Sequence, residues 1–554
     1  MWSDETIAHD ARNAYLWGER HQDAYHPFVA GPLLTIAVEW SFRAFGMDYF
    51  GLRFPSMVSV SLLVLLAFAQ LRAIGGTTQG GLAAAFALAT SWAVTGFART
   101  LNMEPLMMLM LSACLLCVLK GESSRGAASL WYLAAGLFAG LAALTKLSAF
   151  GVVAPMGIYL VLGGVARSSP SPVRWRIGRA VLFALPCGLV VLAGAFVWIA
   201  PEFEGFKSLV WEAILTSRHK RSVPSLARNI AFLLDSQAFL TTPALMAAVA
   251  LLLPGLWRRS DTLDDRKRFA VGLAVTVLIG SVLMIVNFDV PARRLLYVNL
   301  FVAFLFGILW DTAAQDASET PSLPSSGRLA RLGVLVACGA AAYICLGWLI
   351  SPNGGLIALF APRTAARMLF TIRANVAYKL GLAFGALALG LVVYSVWRRL
   401  GPWLWRERSR VLTAIVVFQL LTYGVSCGLW FSRLSYTCRD ASRALGEHVA
   451  EGEYVLGERA LSLSFHNRIK PLYWHPGIAY ANKDEGRIRA RFDPRFMVLP
   501  EIQVDALRNG ALPCSPYVAS FLENEIARFP IYELHESPEL SCDVILYRHE
   551  AAAE

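Results

Sequence analysis

Apolar runs of roughly 17 to 24 residues recur from residue 52 to residue 432, each long enough to cross a hydrocarbon core of ~30 Å as a helix. They fall near 52–74, 80–97, 104–120, 127–145, 147–166, 177–200, 237–257, 268–288, 293–311, 330–350, 377–397 and 411–432. Inside lipid a backbone must satisfy its own N–H and C=O groups, so about twelve such runs commit the chain to a polytopic α-helical bundle. The composition agrees, with 56% hydrophobic and only 16% charged residues, against about 25% charged in soluble domains. A net charge of +11 does not point to nucleic acid, because the arginines concentrate in short connections between apolar runs, where the positive-inside rule accounts for them.

Those connections also set the orientation. Arg72, then Lys120 and Arg125, then Arg167, Arg174, Arg176 and Arg179, then Arg258 to Arg268, then Arg398 to Arg410 alternate onto one side, which is therefore read as the cytoplasm. The chain divides into a first extracytoplasmic loop (1–50), a membrane region (51–432) and an extracytoplasmic C-terminal region (433–554). Residues 1–50 carry no signal peptide to take them across, so one further helix is expected before residue 1, lost to a start codon assigned too late. The localisation expected is the inner (plasma) membrane, multi-pass, with the active site outside.

Function is expected on that outer side, where residues 1–50, 201–236, 351–376 and 433–554 are long and polar, whereas the inner connections are mostly tight turns. In the first loop Ile7, Ala8, Ala11, Ala14 and Tyr15 recur at helical spacing, as do Leu33, Leu34, Ala37, Trp40 and Phe45, with Thr35, Glu39 and Arg43 opposite. This predicts two helices lying along the membrane, the second with Glu39 and Arg43 as an i,i+4 pair on a solvated face. In the C-terminal region RALGEHVAEGE reads as helix, while EYVLGERA, KPLYWH, PRFMVLP and DVILYRHE read as short strands, which makes a small mixed α/β domain. Of nine cysteines, six lie in apolar runs and act as small hydrophobes, the Cys114/Cys117 spacing included. Cys514 with Cys542 is the expected disulfide if that region faces an oxidising compartment.

Four places on the outer side carry charges that a membrane edge does not explain: Asp4 and Glu5; Arg99 and Glu104 in FARTLNMEP; Lys146 in ALTKLS; and Asp289, Arg293 and Arg294 in NFDVPARRLLY, which ends on Tyr297. Carboxylates beside fixed cations suit a reaction in which a base takes a proton while an anionic group leaves. Each also has a purely structural explanation. Asp4 and Glu5 suit a helix N-terminus, Arg99 can snorkel, and Glu104 before Pro105 favours a helix start. Lys146 fits snorkelling less well, and adjacent Arg293 and Arg294 run against the topology, which favours an anionic partner, lipid or phosphate.

In order along the chain, SDE, YHP, LRFPS, FARTLNMEP and LTKLS resemble the GT-C membrane glycosyltransferases of the protein O-mannosyltransferase and aminoarabinose-transferase type. The resemblance covers about the first 310 residues; each motif is short, and the specificity lies in their order. It implies about thirteen helices with a cytoplasmic N-terminus. The family's acidic pair falls on Asp4 and Glu5, with Asp4 as catalytic base, and its RxP falls on Arg53 and Pro55. Its second-loop Arg and acid fall on Arg99 and Glu104, and its TKG lysine falls on Lys146, although Leu147 stands where Gly is common. The HPP or KPP element is reduced to YHPF, which weakens the role of His26. Some relatives place an Arg soon after the acidic pair; Thr6 and Ile7 stand there, so that phosphate contact passes to Arg293 or Arg294.

The resemblance implies an inverting transfer of a sugar from a polyprenyl-phosphate donor to an acceptor hydroxyl on a lipid, glycan or protein. Asp4 takes the proton, and Arg99, Lys146, Arg293 and Arg294 hold the phosphate. No cofactor is required; His9 and His26 share the loop with the carboxylates, so a divalent metal is allowed but not implied. The basic run SRHKRS at 217–222 suits lipid headgroups, an acidic acceptor or plain solvent equally. Two other classes stay open: a secondary transporter, disfavoured because the anomalous charges cluster at one face and no matching pair of broken helices is evident, and a non-catalytic scaffold of envelope assembly.

Overall fold

A computed structural model describes residues 5–18, 32–98, 102–162 except 125, 172–199, 263–288, 296–315, 406–432 and most of 437–549, together with isolated positions from 245 to 256. The expected spans at 330–350 and 377–397, the loops 201–236 and 351–376, and the run SRHKRS lie outside these residues. Two helices, α1 (Glu5–Trp17) and α2 (Pro32–Phe45), precede the membrane segments. The apolar helices then follow as α3 (Tyr49–Ala73), α4 (Thr78–Ala89), α5 (Trp92–Ala98), α6 (Met103–Ser123), α7 (Ala128–Thr145), α8 (Phe150–Leu162) and α9 (Val173–Gly194). After them come α10 (Asp265–Phe288), α11 (Val298–Gln315) and α12 (Arg408–Ser432).

By length and composition four helical segments among the described residues can cross a membrane: α3, α6, α7, and α9 with its π-helical extension to Val197. Small residues set how closely they pack. Gly136 and Gly140 of α7 form a small-xxx-small face against α9, where a Cβ on Gly136 would stand 2.1 Å from the Phe183 carbonyl. Gly80 of α4 meets Gly307 and Asp311 of α11 in the same way. Leu245, Ala248, Val249, Leu252 and Leu256 are buried in this core at helical spacing, as the 237–257 span requires.

The structure corrects several expectations. The run 80–97 is two helices, broken at Thr90 and Ser91; the Thr90 carbonyl accepts from Gln419 Nε2 of α12 at 2.7 Å, which replaces the lost helical bond. On α2 the Arg43–Glu39 ion pair forms at 2.6 Å, yet Thr35 and Glu39 are buried with Leu34, Val38 and Phe42, while Trp40 and Phe45 are exposed. The protein covers the mixed face and leaves the aromatic one outward, as suits a helix lying against lipid. Among the described side chains of α1, Ala11, Arg12 and Asn13 are buried and Tyr15 is exposed.

The C-terminal residues build a five-stranded mixed sheet from β1 (Tyr454–Leu456), β2 (Lys470–Leu472), β3 (Phe496–Pro500), β4 (Glu525–Tyr532) and β5 (Ser541–Arg548), in the order β2-β1-β3-β5-β4. The first three are parallel, and β5 runs antiparallel to both β3 and β4. Period-two alternation gives it two apolar faces. Met497, Leu499, Ile545 and Tyr547 pack with Val504, Leu507, Val518 and Phe521 on one side; Val498, Val544 and Leu546 pack with Leu445 of α13 (Thr437–His448) on the other. The expected Cys514–Cys542 bridge does not form: Cys514 is a free, exposed thiol just ahead of the Pro516–Leu522 helix, while Cys542 is paired with Ile531 in the sheet.

At the β1 terminus Gly457 has φ +141°, and a Cβ there would stand 2.0 Å from the Val498 carbonyl oxygen. Gly457→Ala is therefore expected to destabilise the sheet by more than about 1 kcal/mol, read as faster amide exchange in residues 454–456 and 496–500 with the membrane helices unchanged.

Candidate functional site

The sequence scatters its anomalous charges over 290 residues; the fold collects those it describes at one end of the helices. Glu104 sits in the first turn of α6, with Asn102 at the N-cap. Lys146 sits where α7 stops, in extended backbone (φ −163°, ψ 127°) before the short 3₁₀ turn Leu147–Ala149. That break turns the ammonium onto α6, where Lys146 Nζ donates to Glu104 Oε1 in a buried ion pair. Glu104 is fully buried and Lys146 is 9% exposed, whereas Leu147 points outward.

Such a pair is costly to desolvate and holds only while both partners are present. An ammonium has three donors, of which, among the described residues, Glu104 takes one, so the chemistry of the site is that of a cation fixed in place and able to hydrogen-bond an anion.

Neighbouring contacts put the other described candidates at this end. Ser56 Oγ of α3 donates to the Asn102 carbonyl at 3.4 Å, which brings Arg53, Pro55 and the start of α3 beside the start of α6. The Arg53 guanidinium lies 5.2 Å from the Tyr49 ring centre. Tyr297, immediately before α11, is buried near Ser281, and Ser281 Oγ reaches the Gly151 carbonyl of α8, five residues beyond Lys146. Glu5 begins α1. Asp4, His26, Arg99, Asp289, Arg293 and Arg294 lie outside the described residues.

The C-terminal sheet region is at the same end. Phe465 packs with Ala11, Leu34, Val38, Phe42, Leu52 and Met103, the residue before Glu104. Tyr49 stacks near Phe465 and His466, with ring centres 5.9 and 5.1 Å apart, and its hydroxyl meets Cys438 Sγ at 3.8 Å. Burial, with Arg443 and Arg439 nearby, holds the His466 imidazole below its ordinary range.

Two further buried clusters mark the opposite end. Glu122 accepts from Tyr132 and Arg179, and Asp311 accepts from Lys267 Nζ at 2.6 Å and from the Thr77 amide at 2.6 Å. The sequence reading counted Arg179 and Lys267 only as orientation charges. Their partners Glu122 and Asp311, acids just inside the ends of apolar runs, were the available signal. These clusters lock helix ends together far from Glu104. Among the described residues no three His, Cys, Asp or Glu gather as a metal-ligand set.

With this geometry in hand, residues 26–193 match the family model described as dolichyl-phosphate-mannose-protein mannosyltransferase, a stretch that contains Arg53, Glu104 and Lys146. The chain is similar in fold to ArnT from Cupriavidus metallidurans in the apo state, with 15% identity and a TM-score of 0.56, covering 100% of this chain and 94% of that one. Against ArnT from the same organism bound to undecaprenyl phosphate, the identity is 15% and the TM-score 0.57, with the same coverage. No curated protein matches the chain in sequence.

Proposed function

From the premise that the chain has the fold of the GT-C membrane glycosyltransferases and is mannosyltransferase- and ArnT-like, we propose that it is an inverting glycosyltransferase using a polyprenyl-phosphate sugar. The observation that carries this reading is the buried Glu104–Lys146 pair, a fixed cation at the helix end where the first loop and the C-terminal sheet region meet. ArnT was solved with undecaprenyl phosphate bound, which supports a lipid-linked donor for this chain as well.

In the reaction an acceptor hydroxyl attacks the anomeric carbon, and its proton passes to the Asp4 carboxylate. The anomeric C–O bond to phosphate breaks, and polyprenyl phosphate leaves with the electron pair. Charge grows on the phosphate in the transition state, where Lys146, held by Glu104 in a water-poor setting, stabilises it together with Arg99, Arg293 and Arg294. Arg53 and Tyr297 line the same end, and His26 lies on the first loop. The membrane supplies the donor tail with its solvent, and the reaction proceeds at the extracytoplasmic face of the inner membrane. The acceptor is a lipid, glycan or protein hydroxyl.

Purified protein in phospholipid nanodiscs is to be mixed with radiolabelled undecaprenyl-phosphate mannose and, separately, undecaprenyl-phosphate aminoarabinose, with envelope lipids and proteins as acceptors. Release of undecaprenyl phosphate with label on an acceptor is the expected result. Transport of donor across the bilayer without bond cleavage, or neither outcome, overturns the proposal. A parallel arm in chelator decides whether a divalent metal takes part.

A further inference from the structure

Arg12 belongs to α1, the helix that starts at Glu5. Its side chain is fully buried, which a guanidinium tolerates only where strong acceptors replace water. Those acceptors come from more than 450 residues away: Nη1 donates to the Ile469 carbonyl at 2.9 Å, and Nη2 to the Asn467 carbonyl at 2.8 Å. Within α1 only Asn13 Oδ1, at 3.3 Å from Nη1, adds to them among the described residues. Burial, with Arg468 close by, pushes this guanidinium down to about 9.

The receiving segment is itself held. Asn467 Nδ2 donates to the Ser442 and Leu463 carbonyls at 2.7 and 2.6 Å, and Asn467 Oδ1 accepts from the Ile469 amide at 3.3 Å. The Arg468 carbonyl accepts from the Gly452 amide at 2.8 Å, and the Lys470 amide donates to the Glu453 carbonyl at 2.7 Å. The strap therefore moves with α13 and the sheet. Two weaker contacts extend the attachment along α1: the Lys470 ammonium lies 4.9 Å from the Trp17 ring centre, and Ala11 packs in one cluster with Phe465.

We propose that Arg12 is a positioning residue: through the Asn467 and Ile469 carbonyls it hangs α1 from the C-terminal sheet region, which thereby sets where the acidic first turn of that helix, beginning at Glu5, stands. The inference rests on the reading above that the acidic pair Asp4 and Glu5 serves the reaction. A displacement of reacting groups by about 1 Å costs up to roughly 100-fold in rate, so a helix released at this point loses turnover while donor affinity, which is set elsewhere, is kept.

The test uses full-length protein in nanodiscs with three variants, Arg12→Met, Arg12→Lys and Asn467→Ala, the last loosening the strap without touching α1. Amide exchange of residues 5–17 is expected to rise about tenfold in Arg12→Met and Asn467→Ala, with residues 103–123 and 128–145 at wild-type rates as the folding control. With undecaprenyl-phosphate mannose or aminoarabinose as donor, kcat is expected to fall about 10- to 100-fold at unchanged KM, and Arg12→Lys is expected to retain intermediate values in both measurements. Wild-type exchange in Arg12→Met, or raised exchange with wild-type kcat, overturns the inference. If wild-type protein cleaves neither donor, the transferase reading has failed, and the exchange data alone uphold or overturn the attachment of α1.

Discussion

Lys146→Met leaves a buried Glu104 carboxylate without the ammonium beside it, and the expected result is a protein destabilised by about 3–5 kcal/mol that no longer cleaves a polyprenyl-phosphate sugar. The stability loss follows from geometry alone, because Glu104 is fully buried and Lys146 nearly so. The loss of turnover follows only if the ammonium also meets the donor phosphate. The double variant Lys146→Met/Glu104→Gln separates the two: removing both charges is expected to restore most of the unfolding temperature and none of the activity. A single Lys146→Met variant that unfolds at the wild-type temperature would show that the other contacts of Glu104 suffice to hold its carboxylate, and a double variant that turns over normally would remove Lys146 from phosphate binding. Lys146→Arg keeps the charge but replaces a compact three-donor head with a planar fork, and is expected to retain part of the activity.

Asp4→Asn is expected to lower transfer by about 10²- to 10⁴-fold with no change in unfolding temperature. A neutral amide takes no proton, yet it caps a helix N-terminus about as well as a carboxylate does. That equivalence makes the variant informative, since a merely structural acid at the start of α1 would be replaced at no cost. Wild-type rates in a purified Asp4→Asn protein would assign the acidic pair to helix capping and leave the base to be found elsewhere.

The membrane helices were legible because lipid imposes one rule on every residue of a span. The runs 52–74, 104–120 and 127–145 correspond to Tyr49–Ala73, Met103–Ser123 and Ala128–Thr145 within a few residues. Where a distant partner relaxed that rule, the reading failed. Nothing near Thr90 announces a break, because the acceptor freed there is met by Gln419, 329 positions away. In the C-terminal region strands β1, β2, β3 and β5 were expected, but EIARFPIY was passed over. Its Pro530 argues against a strand unless the strand is an edge, and β4 is an edge. Helix α1 was recognised and its Ala11 is buried, but nothing in its apolar spacing singled out Arg12, whose burial depends on carbonyls that a second segment brings to it.

The sequence by itself determined the class of protein, the positions of the apolar helices it could support, and which charges a bilayer leaves unexplained, because hydropathy and charge act locally against a uniform solvent. Only the tertiary structure decided which charges meet. Glu104 and Lys146 are 42 residues apart in the chain and bonded in space, and Arg12 is buried by carbonyls 455 and 457 residues away. A buried charge is tolerated only beside its partner, and no local pattern names that partner, so pairing is a property of the packed helices and sheet and not of any one segment.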